Sequence, residues 1–300
     1  MVTLGVMALR ATVATQNSMK LASYKVRGRE SFGVVNGDGV IDLRLRLSPR
    51  YTSVLDLLRG NALDAAEAAT KGVRSDYPLD EIEWLPPVHA PEKILCIGIN
   101  YLNRNADFGD EEIPKYPSMF YRAPGSLVGH MQPIVRPRES EQLDYEGEIA
   151  LVIGKAGRRI AREDALDHVA GATLCNEGTI RDWLHHGKFN VTQGKNFDAT
   201  GSIGPWLATD VNLYQPLQLF VRVNGEMTQA APTTSMIQPF SDLIAYTSTF
   251  MTLKPGDVIV TGTPVKINRS EPQRWLIPGD TVEIEVPEIG ILRNMVVAES

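Results

Sequence analysis

Short runs in which apolar and polar residues alternate occupy much of the chain, and this is the pattern of half-buried β-strands. The sequence Asn36-Gly37-Asp38-Gly39 interrupts the first such region, and its residues tolerate the positive φ angles of a hairpin turn. Leu- and Ala-rich spacing over residues 53–72 instead predicts one or two helices, with Gly60 as a stop. The first part of the chain is therefore predicted to mix strands with a few helices.

The remainder of the chain is predicted to contain mainly strands. They are expected over residues 93–100, 143–154, 171–178 and 217–229, and after the Pro-Gly-Asp turns at 255–257 and 278–280. Helical segments are predicted near residues 162–169 and 179–186, and residues 102–116 are expected to form a mobile loop or a short helix. The final third is expected to be β-rich. The predicted fold class is α+β, mostly β.

Three prolines between residues 84 and 91 indicate a boundary between two domains. Residues 19–88 are predicted to form a small N-terminal α+β domain, and residues 89–300 a larger second domain. Residues 1–18 contain no acid and one arginine, which is the composition of a weak transit or signal segment. Because Met19 opens the first strand-forming stretch, we expect residues 1–18 to be a flexible extension.

Composition limits the function classes that remain. Thirty basic and 36 acidic residues give a net charge of −6, which argues against a general nucleic-acid-binding protein. Cys96 and Cys175 are the two cysteines, so neither a disulfide scaffold nor a thiolate metal site is expected, and a cytoplasmic location is predicted. No apolar run approaches the ~20 residues of a membrane span, so no membrane association is expected.

The stretch "LDYEGEIALVIG" at residues 143–154 places Asp144, Glu146 and Glu148 at alternate positions of a predicted strand. Alternate residues share a face, with Cα atoms roughly 6.5–7 Å apart, so their charges repel one another. A solvated acidic edge is one explanation. However, the same face continues as Ala150 and Val152, which favours burial beside a hard divalent cation with oxygen ligands.

A second segment offers partners for these carboxylates. Glu177, Asp182 and Asp198 are candidate third ligands, and Glu177 is the best placed because it follows a predicted strand beside Gly178. Arg181 and Lys195 are cations suited to an anionic substrate. Individually, a surface ion pair or a solvated lysine explains each of them. Together with the glutamates, they indicate a site.

From about Lys93 to Val297 the sequence resembles the fumarylacetoacetate hydrolase family. The segments that carry the resemblance are "CIGINY", "YPSMFYR", "DYEGEIALVIGK", "NEGTIRD", "GKNFD", "GPW", "VNGEMTQ", "LKPGDVIVTGTP" and "GDTVEIEV". Their order and spacing follow the family pattern. The resemblance implies a fumarylacetoacetate hydrolase-like C-terminal mixed β-roll, preceded by a small N-terminal domain, and assembly as a homodimer.

The resemblance also implies a metal site. Members of this family bind Mg²⁺, Mn²⁺ or Ca²⁺, and the ligand positions correspond here to Glu146, Glu148 and Glu177. We expect one Mg²⁺ or Mn²⁺ per subunit. The family usually has aspartate at the third position, so the longer side chain of Glu177 is expected to alter the geometry of the site.

Further site residues follow from the same resemblance. Similar proteins bind the 2-oxo acid end of a small-molecule substrate to the metal, with its carboxylate held by basic side chains. Lys195 and Arg181 match such groups and are predicted to be catalytic. Thr263 of "TGTP" matches a substrate contact, and Arg122 stands where relatives often carry lysine; both are predicted to bind substrate.

Two departures from the family pattern bear on the reaction. Family hydrolases typically carry a histidine and a glutamate in "NYxxHxxE", which activate water, whereas this chain has Arg104 and Asp107 there. Arginine stays protonated and cannot act as a base, so Arg104 is predicted to bind substrate instead. Lys266 also replaces a glycine that relatives carry two positions after "TGTP".

Histidines are candidates for the missing base, although a lone histidine is usually structural or solvated. His130, His185 and His186 are considered. His185 is predicted to be catalytic, because on a helix it lies four residues after Arg181 and shares its face.

These features predict a metal-dependent hydrolase that cleaves a C–C bond in a 2,4-diketo (acylpyruvate-type) acid, in aromatic or sugar-acid breakdown. The alternative is an isomerase or decarboxylase of a 2-hydroxy-dienoic or β-keto acid, and the loss of the lid histidine favours it. A non-catalytic metal-binding protein would not need Glu177, Lys195 and Arg181 together. The sequence contains no phosphate-binding glycine loop, GxSxG elbow or histidine zinc spacing.

Overall fold

The structure is a computed structural model, and it describes residues 18–102, 104, 112–188, 190–268 and 273–300. Its strands are β1 (Lys20–Val26), β2 (Arg29–Asn36), β3 (Gly39–Asp42), β4 (Tyr77–Pro78), β5 (Ile82–Leu85), β6 (Ile94–Gly98), β7 (Ser118–Tyr121), β8 (Leu127–Val128), β9 (Ile134–Arg136), β10 (Leu143–Asp144), β11 (Gly147–Ile153), β12 (Val169–Asn176), β13 (Thr179–Ile180), β14 (Gly201–Ala208), β15 (Gln218–Val223), β16 (Glu226–Pro232), β17 (Val258–Val260), β18 (Thr281–Val286) and β19 (Gly290–Ala298).

The α-helices are α1 (Arg44–Leu47), α2 (Val54–Arg59), α3 (Leu63–Thr70), α4 (Thr192–Lys195) and α5 (Phe240–Phe250). Short 3₁₀ helices span Leu79–Glu81, Pro124–Ser126, Arg162–His168, Asp182–His185 and Thr233–Ser235. Strands predominate over helices in the described part of the chain, which confirms the predicted α+β, mostly β class. No described helix is long and apolar enough to cross a bilayer.

Two sheets form the framework. The larger has the order β4-β3-β2-β1-β14-β12-β11-β17-β6-β7, with β5 also paired to β1 and β8 to β14, and the smaller has the order β16-β15-β18-β19-β9. Strand β1 pairs with β14 through Lys20 and Leu21, so one sheet runs across the predicted boundary between residues 88 and 89. The N-terminal part therefore extends the sheet of the C-terminal part.

Local sequence signals located several of the elements correctly. Strands β2 and β3 form a hairpin in which Asn36 pairs with Gly39, and Gly37 has the positive φ of 62° that the turn requires. Helix α2 ends before Gly60, and each Pro-Gly-Asp turn is followed by a strand, β17 or β18. The predicted helical segment near residues 162–169 is a 3₁₀ helix.

Helix α5 was missed in the final third of the chain, which was predicted to be β-rich. Its buried residues are Phe240, Leu243, Ile244, Thr247 and Ser248, and this 3-4 spacing is the periodicity of an amphipathic helix. The signal was present in the sequence, but β-branched and aromatic residues in the same stretch resemble strand composition.

The prediction of one continuous strand over residues 143–154 was also wrong. Strand β10 pairs with β13, whereas β11 pairs with β12 and β17, and the chain changes partners at Tyr145 and Glu146. At this break the Glu146 N–H donates to the side-chain oxygen of Asn176, at 3.0 Å, instead of to a strand carbonyl. Asp144 therefore need not share a face with the two glutamates.

Gly147 permits close packing of the two sheets beneath this break. A Cβ atom at this position would lie 2.2 Å from Val221 Cγ2 of β15 and 3.4 Å from Ile284 Cγ1 of β18. Such contacts are too short for any side chain, so glycine is required for the smaller sheet to lie against β11. The larger buried cluster of apolar residues fills the space between the sheets and includes Ile149, Val221 and Ile284.

His130 is predicted to make the fold sensitive to acid. The edge of its ring packs against Trp84, with the ring centres 5.2 Å apart, and its Nδ1 accepts the backbone N–H of Arg293. Burial, followed by the charge of Arg293, lowers the pKa of His130 from 6.5 to about 4. Between these pH values the unfolded chain binds a proton that the native state excludes. The free energy of unfolding is therefore unaffected by His130 above pH 6.5, and it falls by at most about 3 kcal/mol as the pH is lowered to 4.

Urea unfolding at several pH values checks this expectation. In His130→Asn the fall in the free energy of unfolding between pH 6.5 and pH 4 should be reduced. His89→Asn, at an exposed position, serves as the control and should follow the unsubstituted protein. An identical pH dependence in His130→Asn would show that His130 does not cause the acid sensitivity.

Candidate active site

Glu146, Glu148 and Glu177 meet where β11 and β12 run side by side. Glu148 lies on β11 opposite Cys175, and Glu177 follows the last residue of β12. The Glu177 N–H donates to the Glu146 carbonyl oxygen at 2.8 Å, which holds the third side chain beside the first. One carboxylate oxygen from each glutamate lies within 4.8 Å of the other two. The three predicted metal ligands therefore form one cluster, called the glutamate cluster below.

Burial makes the glutamate cluster electrostatically costly. Glu146, Glu148 and Glu177 are 4%, 1% and 2% exposed. Burial, followed by the charges of Glu177 and Glu146, raises the pKa of Glu148 well above its ordinary value. The Gly262 N–H donates to Glu148 Oε2 at 2.5 Å and offsets only part of this cost.

The cluster fits a divalent cation with oxygen ligands. Glu177 Oε1 is buried and has no hydrogen-bond partner among the described residues. An unpaired buried carboxylate oxygen costs free energy, and a cation placed among three carboxylates removes both this cost and the mutual repulsion. Carboxylates are the ligands preferred by Mg²⁺ and Mn²⁺. Glu146, Glu148 and Glu177 are the residues that would hold the ion.

Three cations surround Glu146. Arg104 and Arg181 each donate an Nη2–H to its Oε1, at 2.9 Å and 2.6 Å, and the Lys195 ammonium contacts its Oε2. Burial alone raises the pKa of Glu146, but Arg181, Lys195 and Arg104 outweigh it and hold the pKa well below the ordinary value. Glu146 is therefore ionised, and its position is determined by these cations.

Lys195, at the end of α4, joins two members of the glutamate cluster. It is 5% exposed, and its ammonium donates to Glu177 Oε2 at 3.1 Å as well as to Glu146. Burial lowers the pKa of Lys195, yet the two carboxylates raise it above the ordinary value, so the side chain stays charged. The structure places Lys195 directly against two of the predicted metal ligands, and its catalytic role stays a prediction.

Arg181 connects the glutamate cluster to an outer cavity. Its Nε–H donates to Asp144 Oδ2 at 2.9 Å and its Nη2–H to Glu146 Oε1. The guanidinium of Arg181 thus lies between Asp144 and Glu146. Asp144 lines the cavity and is not part of the glutamate cluster. Arg104 lines the same cavity and is 7% exposed. Asp107, the other departure from the family lid, lies outside the described residues.

The cavity has a volume of about 740 Å³. It is lined by Arg104, Gln142, Asp144, Tyr145, Arg181, Asp182, Leu184, His185, Val223, Glu226, Thr228, Lys266, Asn268, Gln273, Arg274, Trp275 and Leu276. Its lining includes four cations and three carboxylates, and the cations make the cavity suited to a small anionic molecule whose one end reaches Arg104 and Arg181.

The three candidate histidines occupy different places. His185 is exposed and lines the cavity together with Arg181, although the segment is a 3₁₀ helix and not the α-helix on which the spacing argument relied. His186 is exposed and packs against Trp183. His130 packs against Trp84 and is not among the residues that line the cavity. His185 is the histidine that the structure brings to the site.

Arg122 and Thr263 were predicted to bind substrate, and both are buried near the cluster. Arg122 donates to the Gly178 carbonyl oxygen at 2.8 Å and to Ser126 Oγ at 3.0 Å, so it holds the backbone that follows Glu177. Thr263 Oγ1 accepts from Gln229 Nε2 at 3.0 Å. Their substrate contacts stay predictions, and for Arg122 the structure describes a positioning role.

Gln229 was not recognised from the sequence. It is 1% exposed on β16, and its side-chain oxygen accepts the Gly147 N–H at 3.3 Å while its Nε2 donates to Thr263. Its side-chain amide therefore links the first residue of β11 to the segment after β17 through hydrogen bonds. The alternation of Gln229 with Met227 and Ala231 along the strand was the available signal, because a glutamine on an apolar strand face needs hydrogen-bond partners for its amide.

Comparison with known proteins identifies similar chains. The family model described as "Fumarylacetoacetate (FAA) hydrolase C-terminal" matches residues 93–297. The chain is 38% identical over 271 residues to human "Oxaloacetate tautomerase FAHD2B, mitochondrial", covering 87% of this chain and 85% of that protein. It is 41% identical over 228 residues to "Oxaloacetate tautomerase YisK" of Bacillus subtilis, covering 73% and 75%.

Solved structures agree with this result. A probable 2-hydroxyhepta-2,4-diene-1,7-dioate isomerase from Mycobacterium abscessus is 31% identical, with a TM-score of 0.77 over 94% of this chain and 100% of that chain. The maleylpyruvate hydrolase of Sphingobium sp. SYK-6, in complex with manganese(II) and pyruvate, is 28% identical, with the same TM-score and coverage. Both isomerases and hydrolases therefore share this fold.

Proposed function

Because the chain belongs to the fumarylacetoacetate hydrolase family, we propose that it is a divalent-metal-dependent enzyme that interconverts the enol and keto forms of a 2-oxo acid. The observation that carries this choice is Arg104, which is buried and ion-paired to Glu146 at the position of the hydrolases' lid histidine. An arginine cannot activate water as a base, whereas tautomerisation needs no hydrolytic water. The named oxaloacetate tautomerases that resemble this chain support the same choice.

Glu146, Glu148 and Glu177 would hold the metal ion. When bound there, the ion supplies a Lewis acid that polarises the 2-oxo group and stabilises negative charge on its oxygen. Lys195 and Arg181 add fixed positive charge beside Glu146 and orient the carboxylate of the substrate.

Tautomerisation removes the proton from the enol oxygen at C2 and adds one at C3, so atoms and charge balance. His185 lines the cavity and its imidazole has a nitrogen that can carry a proton, which makes it the candidate to move the proton at C3. An arginine does not act as a base in proteins, so Arg104 would contribute positive charge and N–H donors.

Hydrolysis of a C–C bond in an acylpyruvate is the second candidate. The Sphingobium maleylpyruvate hydrolase, solved with manganese(II) and pyruvate, supports it, because that enzyme has the same fold. Decarboxylation of a β-keto acid would use the same stabilisation of an enolate. These reactions differ in their products.

Product analysis separates the candidates. The purified full chain is incubated with enol-oxaloacetate and with acetylpyruvate, in Mn²⁺ or Mg²⁺ and again in chelator. Metal-dependent loss of the enol without pyruvate is expected. Pyruvate and acetate from acetylpyruvate would instead establish hydrolysis, and pyruvate and CO₂ from oxaloacetate would establish decarboxylation. No metal-dependent change in either compound would contradict all three reactions.

A further inference from the structure

Lys266 lies on the cavity wall, in the segment that follows β17. The same segment donates the Gly262 N–H to Glu148, so it connects the glutamate cluster with the wall. The Lys266 ammonium lies 2.5 Å from Asp144 Oδ1 and 4.4 Å from the centre of the Tyr145 ring, and the side chain is 18% exposed. An ammonium has three N–H donors, so a ligand in the cavity can accept one that Asp144 does not use.

Asp144 is neutralised without Lys266. Arg181 Nε lies 2.9 Å from Asp144 Oδ2, and the Tyr145 N–H donates to Asp144 Oδ1 at 2.9 Å. Burial lowers the pKa of Lys266, and Arg181 and Arg104 add to this lowering although Asp144 opposes it. Lys266 thus adds positive charge to the wall beside Asp144, a carboxylate that Arg181 already pairs, and an anionic ligand would stabilise the ammonium.

The position of Lys266 relative to the glutamate cluster suits a short diacid. The single guanidinium of Arg181 binds Asp144 on one side and Glu146 on the other. Lys266 contacts the other carboxylate oxygen of Asp144, Oδ1. The Asp144 carboxylate and the Arg181 guanidinium therefore lie between Lys266 and Glu146, a predicted metal ligand. A substrate with its 2-oxo end at the cluster and its other end in the cavity would present that second end to the wall that Lys266 lines.

We propose that Lys266 binds the distal carboxylate of the substrate and thereby selects 2-oxo dicarboxylates over 2-oxo monocarboxylates. This assignment rests on the proposed function, which places the 2-oxo acid end at the glutamate cluster. The lysine adds one positive charge to the cavity, and the matching ligand carries one more negative charge.

Calorimetric binding of a matched pair of ligands tests the assignment. 2-Oxoglutarate and 2-oxopentanoate share the 2-oxo acid end and differ in the distal carboxylate. With Mn²⁺ present, the unsubstituted protein is expected to bind 2-oxoglutarate about 10–100-fold more tightly, the range of one charge-assisted hydrogen bond. Lys266→Met and Lys266→Gly should reduce this ratio to about threefold or less by weakening 2-oxoglutarate alone, whereas Lys266→Arg should keep most of it.

Lys155→Met, at an exposed lysine outside the cavity, is the matched control and should leave the ratio unchanged. Equal weakening of both ligands in Lys266→Met, or no preference in the unsubstituted protein, would overturn the assignment. Enol turnover is measured on the same preparations. A ligand preference that depends on Lys266 without any turnover would reject the proposed tautomerase and keep Lys266 as the residue that recognises the distal carboxylate.

Discussion

Glu148→Gln is expected to abolish tight binding of Mn²⁺ and to lower metal-dependent turnover by about 10³-fold or more. Glutamine has nearly the same size as glutamate but removes one of the three charges that hold the ion. The fold should persist, because Glu148 is 1% exposed and its carboxylate is repelled by Glu177 and Glu146, whereas the neutral amide of glutamine is not repelled. In chelator, the free energy of unfolding should be unchanged or higher by about 1 kcal/mol.

Titration calorimetry with Mn²⁺ and thermal unfolding with and without Mn²⁺ measure these effects separately from turnover. The unsubstituted protein should gain stability on adding Mn²⁺, and Glu148→Gln should not. Glu226→Gln, at an exposed carboxylate that lines the cavity outside the cluster, should keep the affinity for Mn²⁺. Full Mn²⁺ affinity in Glu148→Gln would show that the glutamate cluster is not the metal site.

Lys195→Met is expected to destabilise the metal-free protein by about 3–5 kcal/mol, because it leaves two buried carboxylates without their shared cation. The Lys195 ammonium contacts Glu146 and lies 3.1 Å from Glu177 Oε2. A divalent ion bound by the same carboxylates would supply the missing positive charge. Much of the lost stability should therefore return on adding Mn²⁺, while turnover should stay low because the substrate carboxylate loses a partner.

Urea unfolding in chelator and in Mn²⁺ checks this result. Lys254→Met is the control, since Lys254 also pairs with a carboxylate, Glu92, but is 53% exposed there. Exposed pairs contribute about 0–1 kcal/mol, and the loss should not depend on Mn²⁺. An equally small loss in Lys195→Met would mean that Lys195 does not compensate the glutamate cluster.

The predicted homodimer, the cytoplasmic location and the flexible extension at residues 1–18 stay predictions from the sequence. They depend on surfaces between subunits and on residues outside the described part of the chain. By contrast, the elements that surround the site depend on local signals, and most of them were located.

The sequence by itself determined those parts of the protein that rest on short-range physics. Hairpin glycines, Pro-Gly-Asp turns and alternating apolar residues act within a few positions, so β2, β3, β17, β18 and the β2–β3 turn followed from them. The close spacing of Glu146 and Glu148, with Glu177 after a second strand, likewise indicated a metal site, because adjacent strand ends bring such side chains together.

Only the tertiary structure decided how charges are paired across distant segments. Asp144 and Glu146 differ by two positions, yet a change of strand partner sends one to the cavity and leaves the other in the cluster. Arg104 and Lys195 come from separate segments and converge on Glu146, and Lys266 reaches Asp144. The energy of such pairs depends on distance and burial in three dimensions, which spacing along the chain does not encode.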